Sequence, residues 1–128
     1  MGGYIKIEAE KFETQAINMR INSEIFETFQ KRCKERNLQM YMIIEVFCRQ
    51  YANGRYNLNR DNILKWKDNN SKTSVLNTSI NKKVYNDFKD VVKMQGLFVR
   101  HVLSAFIEDY GNTCPVMEFA NKDTVRKE

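Results

Sequence analysis

Two short stretches of this chain carry, at alternate positions, side chains suited to gripping flat molecular edges. Asn18 and Arg20 lie in the first, Asn77 and Ser79 in the second, with the small apolar Ala16 and Val75 beside them in the same alternation. An Asn amide offers a donor and an acceptor side by side, and an Arg guanidinium offers parallel donors. Those patterns match the edges of adenine and guanine, and Ala or Val suits a thymine methyl. Any solvated sheet face also carries such residues, so spacing alone leaves both readings open.

The segments that must position these residues form a repeat. Residues 14–53 and 73–112 align without a gap at an offset of 59. Thr14/Thr73, Asn18/Asn77, Ile21/Ile80, Asn22/Asn81, Phe29/Phe88, Leu38/Leu97, Phe47/Phe106 and Tyr51/Tyr110 are among the identical pairs. Two copies of this length do not make a solenoid. They predict a pseudo-symmetric pair, each half burying its apolar face against the other.

Each copy opens with period-two alternation, the mark of a half-buried strand. Ile17, Met19 and Ile21 point one way in copy one, and Leu76, Thr78 and Ile80 in copy two. Asn22 and Asn81 are good helix N-caps, with Ser23 an alternative in the first copy. Helices are predicted at 23–36 and 82–95, with one apolar stripe each: Ile25, Phe26, Phe29, Cys33, and Val84, Tyr85, Phe88, Val92. Asn37 and Gly96 tolerate the left-handed conformation that ends a helix. Second helices are predicted over 40–52 and 99–110, closed by Asn53-Gly54 and Gly111-Asn112. A lone short strand leaves its backbone groups unpaired. Antiparallel pairing of about 15–21 with about 74–80 is therefore expected, giving a mainly α fold with a two-stranded ribbon over four helices.

The rest is organised around that single domain. Residues 1–13 form an N-terminal arm, with a brief alternation over Tyr4–Glu8 that reads as an extra strand or a mobile arm. The connector, 54–72, is long for a plain loop. Its RDNILKWKD stretch predicts a short helix capped by Asn59 or Asp61, with Ile63, Leu64 and Trp66 packed on the domain. A tail, 113–128, ends in NKDTVRKE, which is expected to fray. Net charge is +5, and the connector, with 5 basic and 2 acidic side chains, supplies most of the excess. A basic balance favours polyanionic partners.

Other chemistry has little to work with. No His/Asp/Glu cluster, nucleophile elbow or P-loop is present, so neither an enzyme nor a cofactor is expected. Cys33, Cys48 and Cys114 form no CxxC pair and lack partners at ligand spacing, so no metal site is expected. Cys33 and Cys48 align with Val92 and Ile107 and read as buried hydrophobes. His101 aligns with Met42 and reads as a helix-surface residue. No apolar run approaches the ~20 residues of a membrane span, and the first residues contain no signal-peptide apolar core.

This order resembles the ribbon–helix–helix family of DNA-binding proteins, to which the Arc and methionine repressors belong. The stretch INMRINSEIFETFQKRCKERN carries the likeness most closely. Two tandem copies forming an intramolecular pseudo-dimer are similar to the TraY-type relaxosome proteins of conjugative plasmids. The resemblance implies a ribbon lying in the DNA major groove, about 12 Å wide, with Ala16, Asn18, Arg20, Val75, Asn77 and Ser79 reading base edges. Asn18 and Asn77 are then expected in separate, equivalent half-sites. It also implies phosphate contacts from the second-helix N-termini, here Gln39, Met40 and Tyr41 in copy one and Phe98, Val99 and Arg100 in copy two, with Lys82 and Lys83 in support. The family usually places Ser or Thr where this chain has Gln39 and Phe98. Arg20 aligns with Ser79, so the half-sites differ. The expected protein is a transcriptional regulator of a phage, plasmid or AT-rich bacterium, acting in the bacterial cytoplasm or nucleoid and able to self-associate on adjacent DNA sites. Alternatives are a relaxosome or partition accessory, or a protein-binding inhibitor of host machinery that reuses the fold.

Overall fold

The computed structural model describes residues 13–68 and 71–117. In order these form β1 (Thr14–Asn22), α1 (Ser23–Glu35), α2 (Met40–Ala52), α3 (Arg60–Leu64) with a following 3-10 turn (Lys65–Asp68), β2 (Thr73–Asn81), α4 (Lys82–Met94) and α5 (Val99–Thr113). β1 and β2 pair antiparallel as the only sheet among the described residues. Each strand is one residue longer at either end than the alternation predicts. The Tyr4–Glu8 alternation and the terminal NKDTVRKE lie outside the described residues.

The ladder is centred on Asn18, which faces Asn77. Thr14 faces Asn81 and Asn22 faces Thr73, pairs that the repeat offset exchanges. One backbone bond at each end repeats the exchange: Ser23 N–H donates to Lys72 O at 3.0 Å, and Lys82 N–H to Glu13 O at 2.9 Å. Ile17, Ile21, Leu76 and Ile80 are buried under the ribbon.

Each strand passes directly into a helix because an Asn caps the junction. Asn22 Oδ1 accepts from Ile25 N–H and Asn81 Oδ1 from Val84 N–H, both at 3.0 Å. Ser23 takes another role, its hydroxyl lying 2.7 Å from that of Ser74. The turns between the paired helices hold Asn37 at φ 58° and Gly96 at φ 74°, the left-handed geometry expected of them.

Below the ribbon the helices cross between copies: α1 packs on α5 and α2 on α4. At the centre the rings of Phe47 and Phe106 stack with centroids 4.0 Å apart and planes 10° from parallel. Phe29 and Phe88 meet this stack edge-on. Cys33 and Cys48 are buried among these side chains. Tyr51 Oη donates to Gln95 Oε1 at 2.5 Å, while Arg36 Nη1 donates to Tyr110 Oη at 3.0 Å. Each tyrosine thus ties the end of a second helix to the end of the other copy's first helix.

Three expectations fail here. α5 does not stop at Gly111 but runs to Thr113 and turns at Cys114, φ 47°. Gly111 instead permits close approach of α1: a Cβ there would lie 3.0 Å from Thr28 Cγ2. Thr28 is β-branched and its hydroxyl is engaged with Glu24 O at 3.2 Å, so that methyl has little freedom. Gly111→Ala is therefore expected to destabilise by about 1 kcal/mol, overpacking outweighing the gain in helix propensity. Adding Thr28→Ser, which removes the methyl, should restore the loss in a denaturation midpoint; no restoration would mean the contact is not the cause. Leu64 is 39% exposed, because the short α3 buries Ile63 instead. His101 is buried rather than on the surface, at 6% exposure.

Candidate nucleic-acid interface

All six residues expected to read an edge lie on the open face of the ribbon. Ala16, Asn18, Arg20, Val75, Asn77 and Ser79 are each exposed, while their strand neighbours on the other face are buried or half-buried. The alternation causes this, since strand side chains point to opposite faces in turn. Arg20 lies opposite Val75, and Ala16 opposite Ser79. Arg20 Nη1 donates to Thr73 Oγ1 at 3.1 Å, which holds the guanidinium across the ribbon.

The register brings Asn18 and Asn77 face to face at the middle of the ladder, as one central pair of amides. Neighbours sharing a partner couple energetically by about 0.5–3 kcal/mol. The affinity losses of Asn18→Ala and Asn77→Ala should consequently not add in the double variant. Additive losses in a binding titration would place the two amides on separate partners.

The ends of the second helices flank the ribbon, α5 against β1 and α2 against β2. Gln39 and Phe98 occupy their N-cap positions, and neither side chain makes a capping hydrogen bond. The first-turn amides of a helix have no intrahelical acceptor, and the helix dipole makes that end favourable to anions. Met40 and Val99 are partly buried against the core, leaving their backbone as what they can present. Tyr41 and Phe98 are 46% and 61% exposed. Arg100 lies exposed beyond Phe98, its guanidinium 5.8 Å from that ring centre.

The two flanks are not alike. A hollow of about 850 Å³ runs along β1 and brings Ala16, Asn18 and Arg20 together with Phe98, Val99 and Arg100. Gln39, Met40 and Tyr41 stand apart from it, on the β2 side. Lys82 and Lys83 begin α4 and are engaged in exposed ion pairs, with Glu13 at 3.6 Å and Asp87 at 3.1 Å. Such pairs contribute about 0–1 kcal/mol, so both ammonium groups remain cheap to redirect.

Trp66, Lys67 and His101 also line the hollow, and sequence reasoning did not place them there. For His101 a signal existed: its counterpart, Met42, is an apolar residue. Burial, then the charges of Arg100 and Lys67, hold its imidazole below the usual histidine range. A buried neutral histidine binds fewer protons than the unfolded chain does. Its contribution to stability is therefore present above pH 6.5, the unfolded value, and is lost as pH falls through the lowered folded value.

Among the described residues no group of three His, Cys, Asp or Glu side chains is placed to hold a metal ion, and no helix is long and apolar enough to cross a membrane. No protein-family model, curated protein or solved structure matches the chain.

Proposed function

We propose that this chain is a sequence-specific double-stranded DNA-binding protein of ribbon–helix–helix type, an intramolecular pseudo-dimer that inserts its β1–β2 ribbon into the major groove. The observation that carries this reading is the ribbon's open face: six exposed side chains in strict alternation, on a ladder centred on the repeat-equivalent Asn18 and Asn77. The exchanged end bonds, the crossed helix pairs and the Phe47–Phe106 stack support the two-fold arrangement. A two-stranded ribbon fits the major groove, and its flanks would bring the uncapped starts of α2 and α5 towards the phosphates. The protein then acts in the bacterial cytoplasm or nucleoid as a transcriptional regulator, and neighbouring copies assemble on adjacent sites. A relaxosome or partition role uses the same surface and differs only in the site bound.

The test is selection of duplexes from a random-sequence pool, followed by a salt titration of the bound complex. A DNA binder loses affinity with a log–log slope of about −0.9 per phosphate contacted. A flat salt response with no enriched sequence would reject the reading. One observation favours a second reading: Tyr41, Phe98 and Val75 are exposed large apolar side chains beside or on the ribbon. They suit a protein partner, and that alternative predicts salt-insensitive capture of a protein by a surface that Phe98→Ala weakens.

A further inference from the structure

The connector between the two copies occurs once, and its 3-10 turn lies beside β1. That turn carries Lys67 and Trp66 into the wall of the hollow. There Lys67 joins Arg20 from the ribbon and Arg100 from α5, three cations from three separate elements. Among the described residues no acidic side chain lines the hollow. Among the described residues none of the three forms an ion pair, while five other lysines and arginines do. His101 is near enough to Arg100 and Lys67 for both charges to disfavour its protonation. Trp66 Nε1 is the one buried side-chain donor among the described residues without an acceptor. At the α2 positions equivalent to Arg100 and His101 stand Tyr41 and Met42, neither of them charged.

Unpaired cations converging on one concavity repel one another, and an anion placed among them relieves that repulsion. A lone phosphate would leave an 850 Å³ groove mostly empty. A stretch of sugar–phosphate backbone, with several anionic groups in series, matches three cations spread along β1. We propose that this hollow seats one DNA strand's backbone on the β1 side alone, with the connector's Lys67 as a phosphate contact, so that a two-fold-like protein docks on its site in a single orientation. This rests on the DNA-binding reading above and adds to it a polarity: the β1 flank holds backbone electrostatically, and the β2 flank does so far more weakly.

Lys67→Gln and Arg100→Gln test the seat, since both side chains are exposed and neither substitution disturbs the core. Each should lower the magnitude of the salt slope on sheared genomic DNA by about 0.9, which is about a fivefold loss of affinity at physiological salt. Hydroxyl-radical footprints on a selected duplex should show protection extending further beyond one end of the site, and both variants should shorten that end only. The chain has one histidine, so its imidazole NMR signals report on His101 directly. Adding DNA should raise its pKa as phosphates offset Arg100 and Lys67; a structural role for Lys67 alone would not move it.

The outcomes separate. If DNA binds and Arg20→Ala weakens it, but Lys67→Gln leaves slope, footprint and the His101 titration unchanged, the seat is wrong and the ribbon reading stands. If the wild-type chain binds neither sheared nor selected DNA, both fall.

Discussion

Phe106→Ala is expected to lower the unfolding free energy by about 3–5 kcal/mol, the range for removing a fully buried Phe. Phe106 is completely buried and stacked on Phe47 at 4.0 Å, with Phe29, Tyr56 and Tyr110 also against its ring. Truncation leaves a cavity that no single copy can collapse to fill, because the surrounding rings come from both copies and the connector. Domains of this size have about 5–15 kcal/mol in total, so the loss takes a large share. Because both copies share the stack, the whole unit should weaken together. Urea unfolding followed by far-UV circular dichroism and by Trp66 fluorescence should give one coincident midpoint, lowered equally in both probes. Two separated transitions, or a loss under about 1 kcal/mol, would mean that the copies do not depend on this contact.

The second large effect falls on binding. Arg20→Ala should cost about 1–3 kcal/mol in affinity and relax the preference for a G at one position of the site. That is roughly a 5- to 150-fold loss. The cause is geometric as well as electrostatic: Thr73 Oγ1 fixes the guanidinium, so less side-chain freedom is lost when the fork engages a base. Ser79, its counterpart in the repeat, has no comparable reach, and Ser79→Ala should cost less. Competition binding against duplexes altered one base pair at a time would show it. An Arg20→Ala variant that binds every duplex as tightly as the original would remove base reading from this face.

Much of the architecture was legible because local chemistry and the repeat pointed the same way. Asn22 and Asn81 cap helices in any context, Asn37 and Gly96 favour a left-handed turn, and the alternation over both strands could bury only one face. The candidate interface was legible to the same degree, since strand parity assigns the open face without reference to the rest of the fold. What failed depended on contacts distant in sequence. Gly111 reads as a helix stop until Thr28 is seen against it. Leu64 reads as core because five residues of helix do not reveal which side faces inward. His101 was judged by its own polarity, when the apolar Met42 at the equivalent position was the better guide. Lys67 and Trp66 belong to a segment without a repeat counterpart, so no symmetry argument led from the sequence to their place beside β1.

The two strands that make the ribbon belong to one covalent chain, closed at both ends by the bonds from Ser23 to Lys72 and from Lys82 to Glu13. Dilution cannot separate them, since each strand meets the other at an effective concentration set by the tether rather than by copy number. Occupancy of a target should thus rise with the first power of protein concentration when molecules bind singly, and a cell holding very few copies would still hold only assembled ones.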